Sequence, residues 1–293
     1  MAKLKHYLEY AGSKSLALVA KSLPPETADK FGAALGTLAF HLMNSRRRIS
    51  NNNIRETIGR SFSNSEIDYL TKKVFQNIGR TLIELAQFEK LGRDGLARII
   101  QGDTTIIRRV HEAGKGAIIL TCHYGNWEML GGWPAMLGYE TDFLVGTQHN
   151  PLVDEQLNSF RKNLGVGIIS LENSLRGIFK ALKANHFVGI AADQHSASGI
   201  KLKFLGKDAL HARGPALFSI RTGAAVCPMM LRRESFDRHV VHAAEPIFPQ
   251  LHNDEEKEIE RITRTANDFF EDFIRKYPDQ WAWTHRRWKV QSN

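Results

Sequence analysis

The sequence predicts an α/β fold: a mostly parallel central sheet flanked by helices, preceded by a helical hairpin. Three observations carry this. Beyond Gly114, short strand-like runs alternate with helix-like ones, the pattern of parallel strands joined by helical crossovers. One of those runs, residues 116–121 (GAIILT), is apolar after its glycine, as a strand covered on both faces must be. Upstream, apolar residues recur instead at three- and four-residue steps, the period of a helix.

With 293 residues and 42% hydrophobic content the chain can fill a large core; residues 1–48 are assigned to the N-terminal hairpin and 49–293 to the α/β domain. Forty Lys and Arg against 31 Asp and Glu leave a net charge of +9, which favours anionic partners: nucleic acid, acidic phospholipid or an acidic carrier protein. Cys122 and Cys227 are the only cysteines, and neither C-x-x-C nor H-E-x-x-H occurs, so no metal site is expected. Two distant thiols suit a reducing compartment. The best apolar stretch, 31–44, falls short of the roughly 20 residues of a membrane span and contains His41. Lys14 and Lys21 leave too short an apolar run for a signal peptide.

In order, residues 1–44 read as two helices separated by Leu23-Pro24-Pro25. The first mixes Leu4, Tyr7, Leu8, Ala11, Leu16 and Val19 with lysines, as an interfacial helix does. The second, 31–43, is rich in small residues and runs into Arg46-Arg47-Arg48, a cluster suited to lipid phosphates. An ordinary packed hairpin with a solvated charge run fits the same residues. Ser63 or Ser65 can start the next helix with Glu66 in its first turn; Ile67, Leu70, Val74, Ile78, Leu82, Leu85 and Phe88 mark its core stripe. A short helix over 104–113 leads to the strand at 116–121. Helices at 127–137, 153–163, 173–183 and 214–221 then alternate with strands at 141–145, 166–170, 187–191 and 225–231. Residues 240–242 can pair with a neighbouring strand, and 254–276 form a long helix.

Chemistry is expected at 116–132, GAIILTCHYGNWEMLGG. A strand, a tight turn from Cys122 to Gly125 and a helix capped by Asn126 match the place where ligands gather in open α/β sheets, beyond the carboxyl ends of strands. His123 and Glu128 bracket the turn. Across it they can face each other, and a carboxylate beside an imidazole fixes the tautomer and equips the ring as a general base. A structural histidine with a glutamate complementing the helix dipole is the plain alternative. Further polar clusters stand at other strand ends. Asn150-Pro151 precedes the helix that carries Arg161, Asp193-Gln194-His195 follows 187–191, and Arg213-Gly214-Pro215 opens another helix. In a parallel sheet His123 and Asp193 share an edge. Arg161 suits a two-pronged contact with phosphate or carboxylate. A helix-capping Asp193 and a salt-bridged Arg161 remain open. Cys122 raises a covalent route, disfavoured because neighbours at a strand end point opposite ways. No G-x-S-x-G elbow occurs, which argues against a serine hydrolase. The closing PDQWAWTHRRWK holds three of the five tryptophans, suited to a membrane headgroup, to single-stranded nucleic acid or to a packed closure of the core.

Taken together, the H-x4-E pair in HYGNWE after GKGAIILT, the stretches HNPLVDEQLNSFR and ADQHSASG…LKFLG…RGPALFSIRTGAAVCP, and the ending PDQWAWTHRRWK resemble the bacterial late acyltransferases of lipid A biosynthesis, the lauroyl and myristoyl acyltransferase family within the lysophospholipid acyltransferase superfamily. The resemblance spans nearly the whole chain. It implies a membrane-associated O-acyltransferase. Such an enzyme would move a fatty acyl chain from acyl carrier protein or a CoA thioester to a hydroxyl of a glycolipid, foremost a lipid A precursor. His123 is then the general base oriented by Glu128, and Arg161, Asp193, Gln194 and Asn126 are assigned to substrate binding. No metal and no cofactor beyond the thioester co-substrate are expected. Anionic membrane lipids are expected partners, nucleic acid is not, and the place of work is the cytoplasmic face of the bacterial inner membrane, peripheral or shallowly inserted. Another glycolipid or a lysophospholipid acceptor is the alternative; a basic membrane- or nucleic-acid-binding protein is the non-enzymatic one.

Overall fold

Two helices, α1 (Ala2–Ser22) and α2 (Pro25–Leu42), open the chain in a computed structural model that describes residues 2–250 and 254–289. The assigned ends at Met1 and 290–293 lie outside the described residues. Pro25 sits at the first position of α2, where its missing N–H leaves nothing unpaired. A helix over the arginine cluster, α3 (Asn44–Glu56), leads to the long α4 (Asn64–Ile99). Ser63 and Glu66 start α4 as a reciprocal capping box. The small residues of α2 serve packing. A Cβ on Gly36 would lie 2.2 Å from the Phe75 carbonyl oxygen, and one on Gly79 would lie 2.2 Å from that of Gly32, so α2 and α4 meet backbone to backbone. Ile67, Val74, Leu85 and Phe88 of the expected stripe are buried, but Leu82 is 53% exposed and borders two cavities instead.

The α/β part follows as β1 (Ile100–Gln101), α5 (Thr105–Glu112), β2 (Ala117–Thr121), α6 (Trp127–Met136), β3 (Thr141–Val145), α7 (Pro151–Asn163), β4 (Gly167–Ser170), α8 (Ser174–Lys183) and β5 (Phe187–Ala191). Then come β6 (Ile200–Phe204), β7 (Lys207–His211), α9 (Gly214–Thr222), β8 (Ala225–Ser235), β9 (Arg238–Ala243) and α10 (Glu255–Lys276). Among the described residues seven strands form one sheet in the order β1-β9-β8-β2-β5-β3-β4, parallel except where β9 runs against β8. The mostly parallel sheet is thus as expected. β6 and β7 form a separate antiparallel hairpin for which no strands were expected, reversing at Leu205-Gly206, both at positive φ.

Central β2 is buried along its whole length and feeds two cores. Ile118 and Leu120 face α9 and α10, packing with Ala216, Ile259 and Ile262. Ala117 and Ile119 face the other side, where Ala17, Ala20 and Ala28 of the N-terminal helices share one cluster with Met129 and Leu130 of α6. Among the described residues no helix is long and apolar enough to cross a membrane.

Candidate active site

Two strand ends create the site. β2 and β5 pair in parallel with Thr121 opposite Ala191, so the residues two beyond each end, His123 and Asp193, emerge side by side. The chain turns sharply after β2. Gly125 adopts φ 54°, and a Cβ there would fall 1.9 Å from the Leu231 carbonyl oxygen, so only glycine fits. The turn is held from outside. Thr81 donates its hydroxyl to the Gly125 carbonyl at 2.8 Å, and the N–H groups of Gly125 and Ala282 bond the carbonyls of Gln280 and His123 at 3.1 and 2.9 Å.

His123 Nδ1 lies 2.6 Å from Asp193 Oδ1. Asp193 Oδ2 accepts from the His123 backbone N–H at 2.9 Å and from the Trp281 indole N–H at 2.7 Å. Burial alone would raise the Asp193 pKa, but the adjacent imidazole and these hydrogen bonds overcome it and bring the pKa down to about 2. For His123, burial pulls the other way, yet the charge and hydrogen bond of Asp193, helped by the charge of Glu128, lift the pKa above the ordinary value. With Nδ1 held by a carboxylate, Nε2 is the nitrogen left for chemistry; the Gln194 amide nitrogen stands 3.4 Å from it.

The partner of the histidine is therefore Asp193, which corrects the orienting contact expected from Glu128. Glu128 starts α6 and is clamped from α7: Arg161 Nε donates to its Oε2 at 2.8 Å and Nη2 to its Oε1 at 2.7 Å. Arg161 also donates to Asn158 Oδ1 at 2.8 Å. Burial weakens the proton hold of Arg161, but the Glu128 carboxylate more than compensates, so its pKa rises. A bidentate fork occupies both carboxylate oxygens, leaving Glu128 to influence His123 by charge alone. Asn126 is fully buried, with Oδ1 accepting the Met129 N–H at 3.0 Å and Nδ2 donating to Glu84 at 2.7 Å, so it braces the turn. Cys122 is fully buried, and burial followed by the charge of Asp193 pushes its thiol far up, which removes it as a nucleophile.

A cavity of about 450 Å³ opens beside the dyad, lined by His123, Glu128 and Arg161 and, among its apolar residues, by Leu85, Phe143 and Leu157. His123 also borders a second pocket of about 280 Å³ formed with Arg46, Gln194, Thr284 and His285. The closing tryptophans are structural. Trp281 and Trp283 are buried, and Arg287 is buried against His211 and the Leu210 carbonyl, so this segment seals the core and supplies the indole that steadies Asp193. Sequence reading missed that role; the usable signal was that a buried indole N–H needs an acceptor. Among the described residues no three His, Cys, Asp or Glu side chains gather as a metal site.

A histidine–carboxylate pair at the carboxyl end of a parallel sheet, bordering two cavities of mixed polarity, has the groups that base-assisted transfer onto a hydroxyl requires. The family described as bacterial lipid A biosynthesis acyltransferase matches residues 1–290, and the chain belongs to that family. It is 26% identical to the phosphatidylinositol mannoside acyltransferase of Mycolicibacterium smegmatis over 183 residues, 60% of this chain and 58% of that one. With the lipid A biosynthesis lauroyltransferase of Escherichia coli it shares 25% identity over 295 residues, 98% of this chain and 93% of that one. The lipid A biosynthesis palmitoleoyltransferase of the same organism is 24% identical over 266 residues, covering 89% and 84%. The chain thus spans little more than half the length of the mycobacterial relatives and nearly all of the E. coli lauroyltransferase.

Proposed function

We propose that the protein transfers a fatty acyl group from a thioester, carried by acyl carrier protein or CoA, to a hydroxyl of a glycolipid, with His123 as general base and Asp193 holding it. The observation that carries this is the 2.6 Å contact of His123 with Asp193 at the place where two cavities meet at the imidazole. His123 Nε2 takes the proton of the acceptor hydroxyl as its oxygen bonds to the thioester carbonyl carbon. Asp193 stays ionised and steadies the imidazolium. The tetrahedral intermediate collapses by breaking the C–S bond, and the leaving sulfur takes the imidazolium proton, so a free thiol and a neutral histidine remain. Positioned base catalysis of this kind contributes about 10²–10⁴ in rate.

Arg161, held rigid by Glu128 in the cavity wall, is assigned to the developing oxyanion, and Gln194 beside Nε2 to the acceptor. The glycolipid acceptor is supported by the relatives, named for lipid A biosynthesis and for phosphatidylinositol mannoside. Leu4, Tyr7 and Leu8 of α1 stand exposed beside Lys5, which supports peripheral attachment to an anionic bilayer, on the cytoplasmic face where thioesters are made. The net charge of +9 suits both that surface and an acidic carrier. Incubating the protein with an acyl thioester and extracted glycolipid should yield free thiol and a lipid heavier by one acyl chain in the mass spectrum. His123→Ala should abolish both, and a turnover-competent His123→Ala protein would falsify the base assignment.

A further inference from the structure

Arg46 of α3 meets Arg286 and Lys289 of the closing segment at one cleft. Arg47 pairs with Asp68, Arg213 with Glu256 and Arg261 with Glu258, whereas these three have no acidic partner among the described residues. Arg46 is tethered by one bond to the Thr284 carbonyl at 3.2 Å. Together with Ser45, Ile49 and His285 they line an open cleft of about 470 Å³ with no carboxylate among the described residues of its wall. Converging like charges cost the fold repulsion and gain it no contact, which points to an anionic occupant.

The cleft is not isolated. Arg46 and His285 also border the pocket of about 280 Å³ into which His123 opens. On a third side Arg46 borders a groove of about 410 Å³ between α2 and α4, lined by Leu35, Ala39, Phe75, Ile78 and Leu82, where it is the only charged residue among the described residues. Leu38 and Leu42 of α2 expose more than half of their surface. A cationic cleft, an apolar groove and the pocket of the base therefore meet at one side chain.

We propose that this junction seats the acceptor as an anionic lipid. Its phosphate-class group lies among Arg46, Arg286 and Lys289, its hydrocarbon chain lies in the α2–α4 groove, and its hydroxyl reaches His123 through the pocket between. Guanidinium forks and an ammonium suit a tetrahedral anion, and an amphiphile is the one occupant that matches both surfaces at once. The role given to the hydroxyl rests on the acyl-transfer reading; the binding does not.

Calorimetric titration tests the seat without turnover. The probes are dihexanoyl phosphatidic acid below its aggregation concentration, glycerophosphate and inorganic phosphate as headgroups alone, and dihexanoylglycerol as chains alone. The full chain should bind phosphatidic acid at least tenfold more tightly than any partial probe. Arg46→Ala should weaken that binding about tenfold, or 1.4 kcal/mol. The Arg286→Ala/Lys289→Ala pair, on the opposite wall, should act in the same direction. Ala39→Trp, which fills the groove, should weaken phosphatidic acid and leave glycerophosphate unchanged, while His123→Ala should alter neither. Equal affinity for inorganic phosphate and phosphatidic acid would reassign the cleft to the free anion and overturn the lipid seat. So would unchanged binding in both the Arg46 variant and the paired variant. If lipid binds as expected but no acyl group ever moves, the acyl-transfer reading fails and the seat stands.

Discussion

Replacing Asp193 by asparagine preserves shape and removes one charge, and the geometry dictates what the new side chain must do. Oδ2 of Asp193 receives the His123 backbone N–H at 2.9 Å and the Trp281 indole N–H at 2.7 Å, neither of which can turn away. The asparagine must therefore point its carbonyl oxygen there and its NH₂ at His123 Nδ1, where Oδ1 now sits 2.6 Å away. An NH₂ only donates, so Nδ1 must accept, and the single ring proton moves to Nε2. That is the nitrogen required to take the hydroxyl proton. The base is disarmed without being removed. The same replacement in a Ser-His-Asp triad lowers kcat about 10⁴-fold. Here kcat should fall by about 10²–10⁴ with little change in KM for the thioester. Three charge-assisted hydrogen bonds become neutral ones but none is lost, so stability should drop by only about 1–2 kcal/mol. Thiol release at saturating acceptor gives the rate, and thermal unfolding of the same preparation gives the stability. A folded Asp193→Asn protein within tenfold of the parent rate would refute the tautomer reasoning.

The rate should also fall in acid with a limb above the ordinary histidine pKa of 6.5, because Asp193 and Glu128 lift His123 against its burial and the base works only when neutral. In stability the raised His123 pKa contributes fully below 6.5 and loses its contribution as pH climbs through the raised value. Asp193 contributes fully above 3.8 and loses its part as pH falls through about 2. A pH–kcat/KM profile whose acid limb lies below 6.5 would contradict this electrostatic account. For the clamp, urea unfolding of Glu128→Gln, Arg161→Met and the double variant should reveal a coupling of about 1.5–3 kcal/mol, the double costing less than the sum; additive losses would dissolve the pair. At the helix crossing, Gly36→Ala forces a methyl toward the Phe75 carbonyl and should cost about 1–3 kcal/mol, so an unchanged Tm would mean that α2 does not pack there as described.

Elements whose cause is local were legible in the sequence. Strands 141–145 and 187–191 agree residue for residue with β3 and β5, because compact strand-like runs stand between polar or glycine residues. The start of α4 followed from Ser63 and Glu66, which form their cap within one turn. The β6–β7 hairpin was hidden although IKLKF alternates, with Lys201 and Lys203 outward and Leu202 and Phe204 inward; a five-residue alternation is too short to stand out by period alone. The end of β8 was set too early, at Leu231, because two arginines follow. Arg233 is buried all the same, joined to Glu84 at 2.5 and 2.6 Å across 149 residues of sequence, and no local pattern announces such a partner.

The dyad fails to show in the sequence for a related reason. A five-residue spacing through a turn leaves the direction of Glu128 undetermined, while a parallel sheet already puts His123 and Asp193 on one edge. Which strand lies beside β2 is a tertiary fact, and only its being β5, with Thr121 opposite Ala191, turns a shared edge into a hydrogen bond. Once Asp193 holds Nδ1, Glu128 is released for Arg161, whose fork takes both of its oxygens. The H-x4-E spacing then describes two residues that line one cavity rather than a pair in contact: His123 stands at the strand end, and Glu128 fixes Arg161 from the first turn of α6. Both hang on the same turn, pinned by Gly125, Asn126 and Thr81, so a single rigid joint sets the spacing of His123 and Arg161 in the cavity they line. That shared joint gives a physical reason for the two residues to be separated by a fixed number of positions although they never touch.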